Sequence, residues 1–310
     1  MRSVVGSLGW VARQCRGDLS YEVSRGQSTV SRATIQDLKR TNEAVAKCRE
    51  GSSIGLVFQA GTVDWNNAAI VTIIDASFAQ EEETNDDGNT KHHRSQIARM
   101  TALVSPTIFS EDVANCHVIS FASATDKRVC NSTLQAEGHA LIAGSDNGDR
   151  VRAIIADLHV PLNMRNWERE SASTRPHLWL SDCKSLVEHL HNPKEERLSN
   201  TRLSIDIAGL KQMIWIKDDG TQYEELPKER DARYAIRWID TSAMPVDCMT
   251  KRMKGDVLVR TFAGELDLRP TPESVLVKLK KSKHRKEKAE REHAAKGPVN
   301  GLVYWHNNDC

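Results

Sequence analysis

The chain has 310 residues, of which 39% are hydrophobic and 27% are charged, and its formal net charge is +1. This length can bury a large core, and the balanced charge excludes a wholly disordered polyelectrolyte. No apolar run reaches the roughly 18–20 residues of a membrane span, and Arg13 interrupts the N-terminal segment too early for a signal peptide. The seven cysteines include no C-x-x-C pair, so we expect an intracellular protein, cytoplasmic or nuclear and not secreted, with no membrane partner.

The charge is unevenly distributed along the chain. Residues 278–293 contain eight Lys or Arg and three Glu, so the rest of the chain is mildly acidic. A basic run of this kind is typical of an arm that binds nucleic acid or of a nuclear address. A tail that only adds solubility fits the same composition, and the sequence leaves these interpretations open.

The first predicted elements are helices followed by a buried strand. Residues 1–60 are patterned as helices, and the segment Gly51-Ser52-Ser53 ends that pattern. Residues 70–76 are almost continuously apolar and rich in β-branched side chains, which is typical of a strand buried on both faces. The acidic residues 81–87 that follow indicate a surface turn.

Strands and helices alternate through the rest of the chain. Ser132 is the expected N-cap of a helix with Gln135 three residues later, a capping-box pattern, and residues 149–158 continue this helix or form a second one. The other predicted elements are strands at 97–104, 117–121, 177–180 and 234–239, helices at 183–190 and 203–214, and a last helix opened by Pro245. This order predicts a mixed α/β sheet with helices packed on it.

Four acidic residues stand where predicted elements begin or end: Asp75, Glu137, Asp182 and Asp247. Asp75 interrupts an apolar strand, where an uncompensated charge is costly, whereas helix N-termini favour carboxylates such as Glu137 and Asp247. If the four converge, oxygen ligands without Cys or His suit Mg²⁺ or Mn²⁺. Two such ions promote in-line displacement at a phosphate. Spacing alone leaves open that these residues are only helix caps and surface acids.

Several stretches resemble the ribonuclease H domain of copia-type retrotransposon polyproteins, preceded by the end of the reverse transcriptase. The most specific are S-T-x-x-A-E at 132–137 and x-D-x-x-T-K at 246–251. Residues 6–18 resemble the segment that joins the polymerase to ribonuclease H. The other matching stretches follow in family order at 74–77, 93–96, 180–186, 203–210 and 236–239.

The resemblance implies a ribonuclease H-like α/β fold, in which helices flank a five-stranded mixed sheet. It divides the chain into three parts. Residues 1–63 are a helical remnant of the connection from reverse transcriptase to ribonuclease H, and residues 64–256 are the ribonuclease H-like domain. Residues 257–310 are a C-terminal extension with the basic tail, which we expect to be disordered in part.

The resemblance also implies an activity and a site. The family's catalytic acids map onto Asp75, Glu137, Asp182 and Asp247, which would hold two Mg²⁺ ions, with Mn²⁺ as the alternative. Asp75 would bridge both ions, Asp247 would complete the nucleophile-side ion, and Glu137 and Asp182 would complete the other. The implied reaction is endonucleolytic hydrolysis of the RNA strand of an RNA–DNA hybrid, leaving 5′-phosphate and 3′-hydroxyl ends. The RNA strand would be recognised by its 2′-hydroxyls in a wide minor groove.

Two other functions compete with this one. The segment Ile97-Ala98-Arg99 replaces a glycine-aromatic pair that is usual in the family, which favours a catalytically silent remnant that only binds nucleic acid or protein. A retroelement integrase fits less well because its acids run Asp, Asp, Glu. The polymerase part of a retroelement polyprotein is an expected partner, but we expect no polymerase activity from this fragment. The segment Lys217-Asp218-Asp219-Gly220 is interpreted as a solvated turn.

Several basic and polar residues lie next to the four acids in the sequence. Lys184, Ser185, Lys251 and Arg252 either face a substrate phosphate or lie in solvent, and the sequence leaves both open. His139 follows Glu137 by two residues, an offset that turns it away from that carboxylate on a helix. It is therefore predicted to be an ordinary helix-surface histidine.

Overall fold

A computed structural model describes residues 1–84, 90–194, 198, 200–217 and 219–272. The chain divides into two units, Met1–Arg269 and Pro270–Cys310, and only residues 270–272 of the second are described. The basic segment 278–293 and residues 85–89 of the predicted acidic turn lie outside the described residues. Of the helices in the described part, none combines the length and apolar character needed to cross a bilayer. The domain boundaries at 63 and 256 stay predictions.

Among the described residues, six strands form one mixed sheet in the order β5-β4-β1-β2-β3-β6. The strands are β1 Ala69–Thr84, β2 Thr90–Val104, β3 Val113–Thr125, β4 His177–Ser181, β5 Tyr234–Trp238 and β6 Glu265–Asp267. The first three run antiparallel, whereas β4 is parallel to β1 and β5 is parallel to β4. The predicted α/β class with a mixed sheet is confirmed, but the count of five strands is wrong. The additional strand β6 pairs with β3 and is too short to show an alternating pattern in the sequence.

Helices cover both faces of this sheet. They are α1 Arg2–Gln14, α2 Ser20–Thr29, α3 Ile35–Glu50, α4 Thr133–His159, α5 Trp167–Ala172, α6 Lys184–His191, α7 Thr201–Trp215 and α8 Asp256–Phe262. Buried side chains of α4, α6 and α7 pack with Ile74 and Trp179 on one face. On the other face, Ile73 and Leu180 pack with residues of α8 and of the segment before it. The run 70–76 is buried throughout, as predicted for a strand covered on both sides.

The N-terminal helices α1, α2 and α3 have a small core of their own around Leu8, Leu19 and Ala44. Arg16 is buried between them and pairs with Asp18 at 2.8 Å. Its guanidinium also donates to the carbonyl oxygens of Cys48 and Gly51, which are unsatisfied groups at the C-terminal end of α3. The predicted helical character of residues 1–60 and its end at Gly51 are confirmed.

Most predicted boundaries after residue 130 are close to those of the structure. Ser132 caps α4 by accepting a hydrogen bond from the Gln135 backbone N–H at 3.2 Å, and α4 continues through residues 149–158 without a break. The predicted position of the last helix is wrong. The chain after Pro245 forms only a 3-10 turn, Asp247–Met249, and α8 begins at residue 256. The strand β1 also extends to residue 84, into the segment predicted as a turn.

Strand register brings two of the predicted acids together. In the parallel pair β1 and β4, Ile73 is the partner of Leu180. Asp75 and Asp182 each follow these partners by two residues, so parallel strands carry both carboxylates to the same end of the sheet. The cap at Ser132 starts α4 so that Glu137 falls in its early turns beside the same strands.

Candidate active site

The four predicted acids meet at this end of the sheet. Carboxylate oxygens of Asp75, Glu137 and Asp182 all lie within 4.8 Å of one another. Asp247 carries the fourth charge, which acts on both Asp75 and Asp182. The structure therefore brings together residues that are separated by long stretches of sequence, and none of the four is left on a remote surface.

Asp75 is the most constrained of these side chains. It is only 4% exposed, and its Oδ2 accepts a short hydrogen bond from the Thr250 hydroxyl. Burial raises the pKa of Asp75 to about 7, with a further contribution from the charges of Asp247 and Asp182 and an opposing one from the Thr250 hydrogen bond. The carboxylate form is therefore costly here unless positive charge is close.

Glu137 reaches β1 from the start of α4. Its Oε1 accepts a hydrogen bond from the Ala76 backbone N–H at 3.2 Å. Its Oε2 is buried and has no hydrogen-bond partner among the described residues. Burial, followed by the charges of Asp75 and Asp182, raises the pKa of Glu137 well above its ordinary value. A buried oxygen without a donor is costly to a fold, and coordination to a cation would satisfy it.

Asp182 follows β4 and is half-buried. Its Oδ2 accepts a hydrogen bond from the Thr241 hydroxyl at 2.9 Å, and its backbone carbonyl accepts one from the Trp238 indole N–H at 3.0 Å. Burial, together with the charge of Asp247, raises the pKa of Asp182. These contacts come from β5 and the residues after it, so the next parallel strand holds this carboxylate in place.

Asp247 is 4% exposed and forms an ion pair with Lys251 one turn later. Burial by itself lowers the pKa of Lys251, but the overall pKa is raised. The increase comes from the hydrogen bond and charge of Asp247 and from the charges of Asp75 and Asp182. Thr250 links the two sides of the site, because its hydroxyl contacts both Asp75 and the Asp247 carbonyl. The Lys251 ammonium thus opposes four closely spaced carboxylates.

The donor set fits hard divalent cations. All four side chains are carboxylates, the ligand class that Mg²⁺ and Mn²⁺ prefer. The cluster also has the two features that a bound cation would relieve: carboxyl pKa values raised by crowding and burial, and the unsatisfied Oε2 of Glu137. Added positive charge would return these groups to their carboxylate form.

The neighbouring basic residues differ in their surroundings. Lys184 is 74% exposed in its side chain and lies 3.7 Å from Glu188, which matches the solvated alternative for this residue. Lys251 instead turns inward to Asp247, an arrangement that the sequence did not indicate. The site role of Thr250 was also missed, although the x-D-x-x-T-K stretch that contains it was recognised as specific.

The prediction for His139 is wrong. This histidine is only 3% exposed, and its Nδ1 lies 2.5 Å from Oδ2 of Asp126. Helical offset correctly separates it from Glu137, but α7 and the loop after β3 cover the helix face on which it lies. Their approach is a tertiary contact that local spacing does not encode.

Comparisons with known proteins find similarity to solved structures only at a low level. No protein-family model matches the sequence, and no curated protein matches it. One similar structure is the N-terminal RNase H domain of a Mycobacterium tuberculosis protein, solved as a fusion with maltose-binding protein. It is 12% identical with a TM-score of 0.33, over 64% of this chain and 97% of that chain.

Two further structures are similar at the same level. A ribonuclease H from the halophilic archaeon Halobacterium salinarum is 11% identical with a TM-score of 0.29, over 56% of this chain and 86% of that chain. A foamy viral protease–reverse transcriptase in complex with an RNA/DNA hybrid is 8% identical with a TM-score of 0.29, over 69% of this chain and 26% of that chain. At these identities and TM-scores, a statement of activity has to come from the residues of this chain.

Proposed function

We propose that this protein is a metal-dependent endonuclease of the ribonuclease H type, which hydrolyses the RNA strand of RNA–DNA hybrids. The observation that carries the proposal is the convergence of Asp75, Glu137 and Asp182 within 4.8 Å, with Asp247 completing the cluster. A strand interior, a helix start, a strand end and a 3-10 turn each contribute one of these acids. Acids that only cap helices or lie on the surface are not expected to cluster in this way, because clustering raises the free energy of the metal-free fold.

Asp75, Glu137, Asp182 and Asp247 would hold two Mg²⁺ ions, or Mn²⁺ as the alternative. When bound, such a pair lowers the pKa of an attacking water and stabilises the leaving oxygen of a phosphodiester. The protein contributes the positions of the ligands. The Thr250 hydroxyl orients the Asp75 carboxylate, and the Ala76 N–H holds Oε1 of Glu137 so that Oε2 stays available.

Lys251 opposes the negative charge of the metal-free cluster through its ion pair with Asp247. A flexible lysine at this position can withdraw when cations bind, since its side chain is 40% exposed and solvent is close. Lys251 thus acts as a positioning residue for Asp247 in the metal-free protein.

The RNA–DNA hybrid as substrate and the origin in a copia-type element rest on the sequence resemblance, above all on the stretches 132–137 and 246–251. The RNA 2′-hydroxyls in a wide minor groove would distinguish the hybrid from duplex DNA. A polymerase part of the same polyprotein is the proposed partner, and it would provide additional contacts to the substrate. The basic segment 278–293, proposed as a nucleic-acid arm, lies outside the described residues.

The test is cleavage of an end-labelled RNA strand in a hybrid with Mg²⁺, followed on a denaturing gel. The unaltered chain should cut the hybrid and leave duplex DNA of the same sequence intact. Asp75→Asn and Asp182→Asn should each abolish cleavage, whereas Asp219→Asn, on an exposed turn, should leave it unchanged. Equal cleavage by the unaltered chain and Asp75→Asn after matched purification would show that the activity belongs to a contaminant. No cleavage by any chain, together with no stabilisation by Mg²⁺, would favour the silent remnant.

A further inference from the structure

A second cluster of side chains that could bind a metal ion lies where the loop after β3 meets α4. It consists of Asp126, directly after β3, Cys130 in the following loop, and His139 in α4. All three are buried, with exposed fractions of 6%, 6% and 3%. Their donor atoms lie within 4.8 Å of one another. This set mixes sulfur, nitrogen and oxygen, unlike the all-carboxylate cluster.

The distances within the cluster resemble the edges of a tetrahedral zinc site. With a Zn–S bond of about 2.3 Å and Zn–N or Zn–O bonds of about 2.0–2.1 Å, ligand atoms around zinc are separated by roughly 3.3–3.5 Å. Sγ of Cys130 lies 3.5 Å from Nδ1 of His139 and 3.4 Å from Oδ2 of Asp126. The third edge, from Nδ1 to Oδ2, is 2.5 Å, the length of a hydrogen bond. Only this edge has to open, by somewhat under 1 Å, for an ion to replace the shared proton.

Two carboxylates face the ring of His139, one at each of its nitrogens. Oδ2 of Asp126 faces Nδ1 of the ring at 2.5 Å, and Oδ2 of Asp206, in the second turn of α7, faces Nε2 at 3.5 Å. A neutral imidazole has one N–H, so it can donate to one carboxylate but then presents a lone pair to the other. A metal ion bound at Nδ1 removes this conflict, because the one ring N–H then faces Asp206. The Sγ of Cys130, 3.5 Å from Nδ1, supplies a further metal ligand at the same position.

We propose that Asp126, Cys130 and His139 bind a single Zn²⁺ ion, with Asp206 as the residue that orients the histidine. In this arrangement Nδ1 binds the metal and the Nε2–H donates to Asp206, so the carboxylate fixes the tautomer and the ring plane. The Cys130 thiol releases its proton to solvent on binding. Zinc suits this mixed donor set, whereas Mg²⁺ does not bind thiolates well.

The ion would link three parts of the fold. Asp126 and Cys130 lie on the loop between β3 and α4, His139 lies on α4, and Asp206 extends the network to α7. The Asp126 carboxylate is already held in place, because its Oδ1 accepts from the Arg128 backbone N–H at 3.0 Å. Arg128 also pairs with Asp206 at 3.6 Å, so one loop residue contacts both carboxylates. Such a site would stabilise the first turns of α4, from which Glu137 extends.

The test uses Co²⁺, a spectroscopic substitute for Zn²⁺, on the full chain. The chain carries Asp75→Asn and Asp182→Asn, so that the acid cluster cannot take up the metal. Titration of this metal-free parent should saturate at one Co²⁺ per chain and produce a thiolate-to-cobalt charge-transfer band, which added Zn²⁺ removes. Cys130→Ser should lose the band, and Cys48→Ser, a half-buried cysteine on α3, should keep it.

A parent chain without a charge-transfer band overturns the proposal, and so does a band that persists in Cys130→Ser. Because Cys130 is buried, circular dichroism checks that this variant is folded. Asp206→Asn provides an independent measurement, since the Asp206 side chain is 19% exposed and its replacement preserves shape. It should weaken Co²⁺ affinity about 10–100-fold, and an unchanged affinity would exclude the assigned coordination of His139. Neither result depends on whether the chain cleaves hybrids.

Discussion

Replacing Asp75 by Asn measures how much the buried carboxylate lowers the free energy of unfolding of the metal-free protein. The pKa of Asp75 is raised to about 7, from an ordinary value of 3.8, chiefly by burial. A carboxyl group with a higher pKa in the folded state than in the unfolded chain binds its proton more tightly when folded. Its contribution to stability is therefore complete below the unfolded pKa and is lost as the pH rises through the folded pKa. The difference between these two pKa values corresponds to roughly 4 kcal/mol of destabilisation at pH 8 without metal.

Asp75→Asn removes this ionisation and keeps an acceptor for the Thr250 hydroxyl. Urea unfolding in EDTA should show the variant more stable than the unaltered chain by up to roughly 4 kcal/mol at pH 8, with a smaller gain at pH 5. Saturating Mg²⁺ should stabilise the unaltered chain and not the variant. Asp219→Asn on its exposed turn is the matched control and should change neither value.

The reasoning is refuted if Asp75→Asn is less stable than the unaltered chain in EDTA at pH 8. It is equally refuted if Mg²⁺ stabilises both chains to the same extent, because the cluster would then not be the site of binding. A gain of stability without pH dependence would indicate better packing and not the removal of a buried charge.

Three further changes test other contacts of the fold and site. Thr250→Val removes the hydroxyl bound to Asp75, and we expect the acid limb of the cleavage profile to move upward by about one pH unit, since a charged hydrogen bond is worth about 1.5 kcal/mol. Lys251→Met should lower the free energy of unfolding, measured with urea in EDTA, by about 1 kcal/mol. This difference should be smaller in Mg²⁺. Gly148→Ala places a methyl group 2.3 Å from the His177 ring, so the same method should record a loss of about 3 kcal/mol.

Local sequence patterns predicted the elements that carry the site. The apolar run at 70–76 and the N-cap at Ser132 depend on neighbouring residues only, and both were confirmed. The second half of the predicted capping box was wrong, because the Gln135 side chain accepts from the Asn131 backbone N–H and not from that of Ser132. Asp75 was conspicuous for the same reason, because a charge inside an apolar strand has no local compensation. Parallel register then explains why Asp182 lies near it.

Other features depend on contacts that no local pattern contains. The strand β6 has only three residues and exists because β3 offers an unpaired edge. His139 was assigned to the surface because its partners, Asp126 and Asp206, come from a loop and from another helix. The inward turn of Lys251 follows from the combined charge of four carboxylates, which becomes visible only when they are placed together.

The central claim is that these four carboxylates form a binding site for a pair of divalent cations. Anomalous diffraction from crystals of the unaltered chain soaked in Mn²⁺ measures this directly. We expect two manganese peaks among Asp75, Glu137, Asp182 and Asp247, with Lys251 displaced from Asp247. Crystals at saturating Mn²⁺ with no peak at the cluster, and with the Lys251 ion pair intact, would contradict it.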